Sequence, residues 1–184
     1  MTWADEVRSH YDRQWRIAST LSEYAHGPIH QLPDDFRVAV YPPFGERMLW
    51  TYATTGMSQP SDPVRLEAFI LSPQVTEAVA ELLYAMAHFH RTGARLGIGH
   101  TVNFGRPWLP GSLCDHGLLS LPYLDGPKLE NGTARGRTFT VAWLIPVTPA
   151  EVALKVRDGL DALESIFDQC EFDYANPARR SVVA

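Results

Sequence analysis

Apolar residues return every three or four positions in three stretches of the chain and every second position in four others. That rhythm predicts most of the architecture. Trp3, Val7, Tyr11, Trp15 and Ala18 share one face of a helix predicted over 2–20. Thr2 is placed to cap it, with Asp5 and Glu6 in the positively polarised first turn. Gly27-Pro28 then interrupts the pattern. Phe36 to Tyr41 predicts a short strand that stops at Pro42-Pro43, since proline cannot donate to a ladder. Leu49 to Thr55 sets Trp50 and Tyr52 on one face and Leu49, Thr51 and Ala53 on the other. Val64 to Leu71 begins by alternating and turns apolar on both faces at Phe69-Ile70-Leu71. An antiparallel meander is the simplest pairing of these three strands.

Ser72-Pro73 reads as an N-cap followed by proline at the first helical position. It opens a helix predicted to run to Thr92 and stop at Gly93, with Val75, Val79, Leu82, Met86 and Phe89 as its buried stripe. His88 and His90 stand two apart on that helix, so they point in different directions and do not share a metal. Arg137 to Ile145 is the clearest strand, with Phe139, Val141, Trp143 and Ile145 facing one way. Thr148-Pro149-Ala150-Glu151 is a capping box that starts a helix to about Cys170, broken at Gly159. Residues 175–184, with Arg179-Arg180, read as a loose, solvated tail beyond a domain over 1–174. The class predicted is α+β: one domain with a mixed, mostly antiparallel sheet covered by helices.

Composition narrows the choice of function. A chain of 184 residues with 45% hydrophobic and 20% charged residues can bury a core without staples. The net charge of −5 calls for no nucleic-acid partner. No apolar run approaches the ~20 residues of a membrane span. The start MTWADEVRSH lacks the basic and apolar regions of a secretory signal. Cys114 and Cys170 are expected as free thiols in the cytoplasm, and Asn131-Gly132-Thr133 is expected to be only a turn.

Candidate chemistry gathers between Gly97 and Tyr123, GIGHTVNFGRPWLPGSLCDHGLLSLPY. His100, Cys114, Asp115 and His116 are residue types that zinc takes, and a metal-dependent hydrolase built on His100, Cys114 and His116 is one reading. Their spacing does not suit a structural site, in which paired ligands have about two to five residues between them; Cys114 and His116 have only one. No metal and no cofactor are therefore expected. Ser112, Cys114 and His116 lie too close along the chain to converge as a triad, and no G-x-S-x-G elbow is present. Gly97-x-Gly99 lacks the third glycine and the following helix of a dinucleotide site. The reading preferred is recognition without catalysis. Arg106-Pro107-Trp108-Leu109-Pro110-Gly111 presents an Arg and a Trp on a stiffened segment, the residue types that carry interface energy. Asn103, Arg106, Trp108, Asp115 and His116 are the partner-binding candidates, with the acidic turn Asp125 to Glu130 as a polar rim. The alternative for Trp108 is a place in the core, with Arg106 paired to an acid.

Four segments carry a family resemblance: WTYATTGMS at Trp50 to Ser58, RLEAFIL at Arg65 to Leu71, GHTVNFGRPWLPGSLCDHGLLSLPY at Gly99 to Tyr123, and VAWLIPVTPAE at Val141 to Glu151. In them the chain resembles the suppressor of fused (SUFU-like) domain family in its compact bacterial form. The resemblance implies a sheet covered by helices and a non-enzymatic role in holding another protein. Larger members restrain a transcription factor by gripping a short peptide with the help of a second domain, which this chain is expected to lack. Stand-alone bacterial members resemble immunity proteins that neutralise a cognate toxin by binding it. A regulatory domain that sequesters its partner is the other binding role the resemblance allows.

Overall fold

Arg137 to Val147 carries the longest alternation in the chain, and the sheet is built on it. The computed structural model describes residues 1–183. In chain order they form helix α1 (Trp3–Trp15), strands β1 (Thr20–Leu21), β2 (Arg37–Tyr41), β3 (Trp50–Thr55) and β4 (Leu66–Ser72), and helix α2 (Glu77–Thr92). Strands β5 (Thr101–Asn103) and β6 (His116–Ser120), the short helix α3 (Pro127–Glu130), strands β7 (Asn131–Ala134) and β8 (Arg137–Val147), and helices α4 (Pro149–Asp158) and α5 (Leu160–Gln169) complete the set. The class is α+β, as predicted. The sheet has eight strands in the order β1-β2-β3-β4-β8-β6-β5, with β7 also paired to β8. β2, β3 and β4 form the expected antiparallel meander. β4 then pairs with β8 in parallel, so the segment between them crosses over the sheet.

Alternation along β8 divides the core in two. Phe139, Val141, Trp143, Ile145 and Val147 join the α1 stripe (Trp3, Val7, Tyr11, Trp15) and Leu163 and Phe167 of α5 on one face. Ala142 and Leu144 face α2 on the other, with Val79, Leu83 and Met86. Thr2 and Asp5 close the capping box of α1, and Thr148 and Glu151 close that of α4. Gly159 separates α4 from α5.

Several expectations are corrected. α1 ends at Trp15, because Arg16 adopts a left-handed φ of 57° and the chain leaves to pair β1 with β2. Ala18 therefore lies outside the helix and exposed. α2 does not begin at Ser72-Pro73: Ser72 is still paired with Trp50, and its hydroxyl closes a turn with Gln74. Thr76 is the cap instead, which leaves Val75 exposed. The buried face of α2 is rotated from the one predicted, so Phe89 is 43% exposed while His90 is buried and accepts the Leu96 N–H. Asn131-Gly132-Thr133 is strand β7. The turn lies after it, at Arg135 and Gly136, whose φ angles of 46° and 71° are those of a two-residue hairpin loop.

The GMS turn after β3 owes its shape to Glu67, which is fully buried on β4. Its carboxylate accepts the Thr54 hydroxyl at 2.7 Å, the Met57 and Ser58 N–H groups at 3.1 and 3.2 Å, and the Ser58 hydroxyl at 3.2 Å. Burial outweighs these donors and lifts the Glu67 carboxyl from 4.5 to about 7. The C-terminal segment is anchored in a similar way. Arg179, expected in a solvated tail, is 7% exposed and forks onto the buried Glu151 carboxylate at 2.7 Å through both terminal nitrogens. Its guanidinium also donates to the Pro146 carbonyl.

Candidate protein-binding edge

A sheet that does not close has two edges, and this one ends at β1 and β5. Edge strands present main-chain groups with nothing beside them. The β5–β6 register is Thr101↔Leu118, Val102↔Gly117 and Asn103↔His116. The Leu119 N–H bonds to the His100 carbonyl and the Phe104 N–H to the Asp115 carbonyl. Alternation then turns the main chain of His100, Val102 and Phe104 toward β6 and that of Thr101 and Asn103 outward. Beside this open edge runs a groove of about 230 Å³ between α2 and β5, lined on the helix by Leu82, Ala85, Met86 and Phe89 and on the strand by Val102 and Phe104.

Close packing lies across this edge. A Cβ on Gly117 would lie 2.6 Å from the Phe104 ring and 2.5 Å from Leu144. Only glycine at 117 lets Phe104 lie across β6 and form the floor of the groove. After Phe104 the chain makes an excursion to Asp115 and returns, pinned by the Trp108 N–H on the Cys114 carbonyl at 3.0 Å. Inside it, the Ser112 hydroxyl accepts the Cys114 N–H.

Trp108 is fully buried in the α2-side core beside Leu109 and Cys114, so it takes the core place and is not a surface anchor. Its indole N–H finds no partner among the described residues. Arg106 is exposed and paired with Glu81 of α2, the residue before the groove-lining Leu82. Asn103 uses its side-chain oxygen to accept the Gly105 N–H, an Asx turn that ends β5. His116 stands opposite Asn103 and bonds through Nδ1 to Asp115 at 2.6 Å. Four of the five candidates thus lie at one end of the β5–β6 pair. Asp125, expected on a polar rim, points inward: its carboxylate takes Arg47 at 2.8 Å and the Trp15 indole N–H at 2.7 Å.

His100 is exposed while Cys114 is buried. Burial raises the Cys114 thiol above its ordinary value, which suits a core residue rather than a nucleophile. Among the described residues no three His, Cys, Asp or Glu side chains are grouped to hold a metal, and the hydrolase reading built on His100, Cys114 and His116 loses its geometry. Sequence reasoning missed the apolar groove. Its signal was Phe89, off the true buried stripe of α2, together with the short alternation Thr101-Val102-Asn103-Phe104.

The family model for the suppressor of fused protein (SUFU) matches residues 33–180. The fold superposes on a protein described as a suppressor of fused homologue from Neisseria gonorrhoeae FA 1090 with a TM-score of 0.84 and 30% identity, over 99% of this chain and 97% of that one. It superposes on a chain of the Sufu-Fu complex with a TM-score of 0.75 at 15% identity, over 98% and 92% of the two chains. For Drosophila Suppressor of Fused the TM-score is 0.71 at 16% identity, over 98% of this chain and 51% of that one. No curated protein matches by sequence.

Proposed function

The chain belongs to the suppressor of fused family, and from that premise we propose that it is a protein-binding module whose β5 edge receives an extended segment of another polypeptide. The observation that carries this reading is the pair of outward-facing main-chain units at Thr101 and Asn103 beside an apolar groove. Strand addition supplies main-chain hydrogen bonds, and a groove next to the edge takes alternate side chains. Phe89, 43% exposed, borders that groove, and the Arg106–Glu81 pair ties together the two segments that line it. A suppressor of fused protein in complex with Fu shares the fold, which supports a binding role.

The finer reading is an immunity-type protein that neutralises a cognate toxin by occupying it. That reading follows from the resemblance to stand-alone bacterial members, and this chain matches a bacterial homologue over nearly the whole length of both. The net charge of −5 favours a basic partner.

The test is co-expression with the toxin domains encoded beside the gene, scored for rescue of growth, followed by Thr101→Pro. Proline at 101 removes an outward N–H and no bond to β6, so the fold stands while the edge is blocked. Rescue by the parent protein and its loss in Thr101→Pro, with an unchanged melting temperature, is the expected result. Full rescue by the folded Thr101→Pro protein rules out the edge. Rescue from none of the neighbouring toxins, while a non-toxin protein is held at the same edge, turns the reading to regulatory sequestration.

A further inference from the structure

On the face of the sheet opposite the groove, a cleft of about 420 Å³ opens between β8, the segment after β6 and the C-terminal part of α5. That size lies in the range of ligand pockets, roughly 300–1,000 Å³. Its lining is aromatic and acidic. Trp143 packs edge-on against Tyr174 at 4.8 Å, Phe167 stacks on Phe172 at 4.0 Å, and Tyr123 stands at the mouth, 61% exposed. Glu164 is held in place by the Ser120 hydroxyl at 2.6 Å and the Tyr123 hydroxyl at 3.3 Å. Asp168 lies one turn further along α5 and borders the same space.

The charges here are costly to the free protein. Glu164 and Asp168 are like charges at i and i+4, a repulsive spacing on a helix. Asp168 also sits in the last turn of α5, where the helix end is already negative and no basic residue offsets it. From Asp158 to Ala178 the sequence carries six carboxylates and no Lys or Arg. A cation in the cleft relieves both repulsions at once and lies among aromatic rings, of which Tyr123 is the most exposed. The chain already uses this chemistry on either side. Arg179 lies 4.7 Å over the Phe172 ring while bound to Glu151, and Arg47 lies 5.2 Å over Phe44 while bound to Asp125. In both places the cation is a guanidinium, which stacks flat on a ring and forks onto a carboxylate as an ammonium cannot.

We propose that this cleft is a second docking surface, which takes an arginine side chain of a partner polypeptide between its aromatic lining and the Glu164 and Asp168 carboxylates. The proposal rests on the protein-binding reading but not on the β5 edge, which lies on the other face.

The test titrates the full chain with acetyl-Gly-Arg-Gly-amide and follows the resonances of Tyr123 and Trp143. Parallel titrations use the citrulline peptide, its neutral isostere, the lysine peptide, and tetramethylammonium. The arginine peptide is expected to saturate these shifts at least about tenfold more tightly than the citrulline peptide, and more tightly than the lysine peptide or tetramethylammonium. Glu164→Gln with Asp168→Asn is expected to erase that advantage. Equal binding of citrulline, tighter binding of either other cation, or an unchanged advantage in the double variant overturns the proposal. The titration needs no natural partner, so its failure leaves the edge reading standing, and loss of rescue at Thr101 leaves the titration unaffected.

Discussion

Replacing Glu67 by Gln isolates the one fully buried carboxylate that organises a turn rather than a helix cap or an ion pair. The folded carboxyl titrates near 7 and the unfolded one near 4.5, because burial penalises the charge more than its four donors support it. A raised carboxyl means that the native state holds its proton at a pH where the unfolded chain has lost it. The contribution of Glu67 is therefore fully present below about 4.5, declines as pH rises, and is exhausted above about 7. At about 1.4 kcal/mol for each pH unit, that interval amounts to about 3 kcal/mol. Urea unfolding of the parent and of Glu67→Gln between pH 4 and pH 8 reads it as the difference between two curves, in which the other titrating groups cancel. The parent is expected to lose about 3 kcal/mol relative to the variant across that range, with a plateau above it. Were the difference instead to grow with pH, the two main-chain and two hydroxyl donors would outweigh burial, and the reasoning from desolvation would be refuted.

Two further substitutions test the corrected placements. Trp108→Ala empties a fully buried site and is expected to cost about 3–5 kcal/mol in chemical denaturation. Arg106→Ala breaks only an exposed pair and is expected to stay within about 1 kcal/mol, so equal effects of the two would place Trp108 at the surface after all. Arg179→Met strands the buried Glu151 carboxylate and is expected to cost about 3–5 kcal/mol by thermal or urea unfolding, whereas a loose tail would tolerate it without measurable change.

What the pattern of residues revealed was whatever depends on neighbours along the chain. The Thr2 cap of α1, the capping box of α4, the stop of α2 at Gly93, the break at Gly159 and the two faces of β8 are all local, and each is where the sequence puts it. The misplacements share a cause, which is pairing with something far away. Ser72-Pro73 has the chemistry of a helix start, but Ser72 is held in the sheet by Trp50. Asn131-Gly132-Thr133 has the chemistry of a turn, but β8 lies alongside it. β5 has three residues, so the alternation through Thr101-Val102-Asn103-Phe104 is too short to mark a strand by itself, and β5 exists because β6 returns to it after the excursion through Trp108. Arg179 looks solvated along the chain, but Glu151, 28 residues earlier, is fully buried and pairs with it.

The same distinction bears on the site. The stretch from Gly99 to Tyr123 is the most distinctive in the sequence, yet its least common features point inward. Trp108, Leu109 and Cys114 fill the core on the α2 side, and Gly117 is vacant so that Phe104 can lie over it. These residues build the edge from inside and are not exposed at it. The positions that face outward, Thr101, Asn103 and Arg106, offer main-chain groups and one charge, which many partners can use. A segment of this kind identifies the scaffold by its buried half and leaves the choice of partner to its exposed half. On the proposed edge reading, discrimination between polypeptides comes from side chains in the groove and from contacts elsewhere, such as the proposed charged cleft on the opposite face.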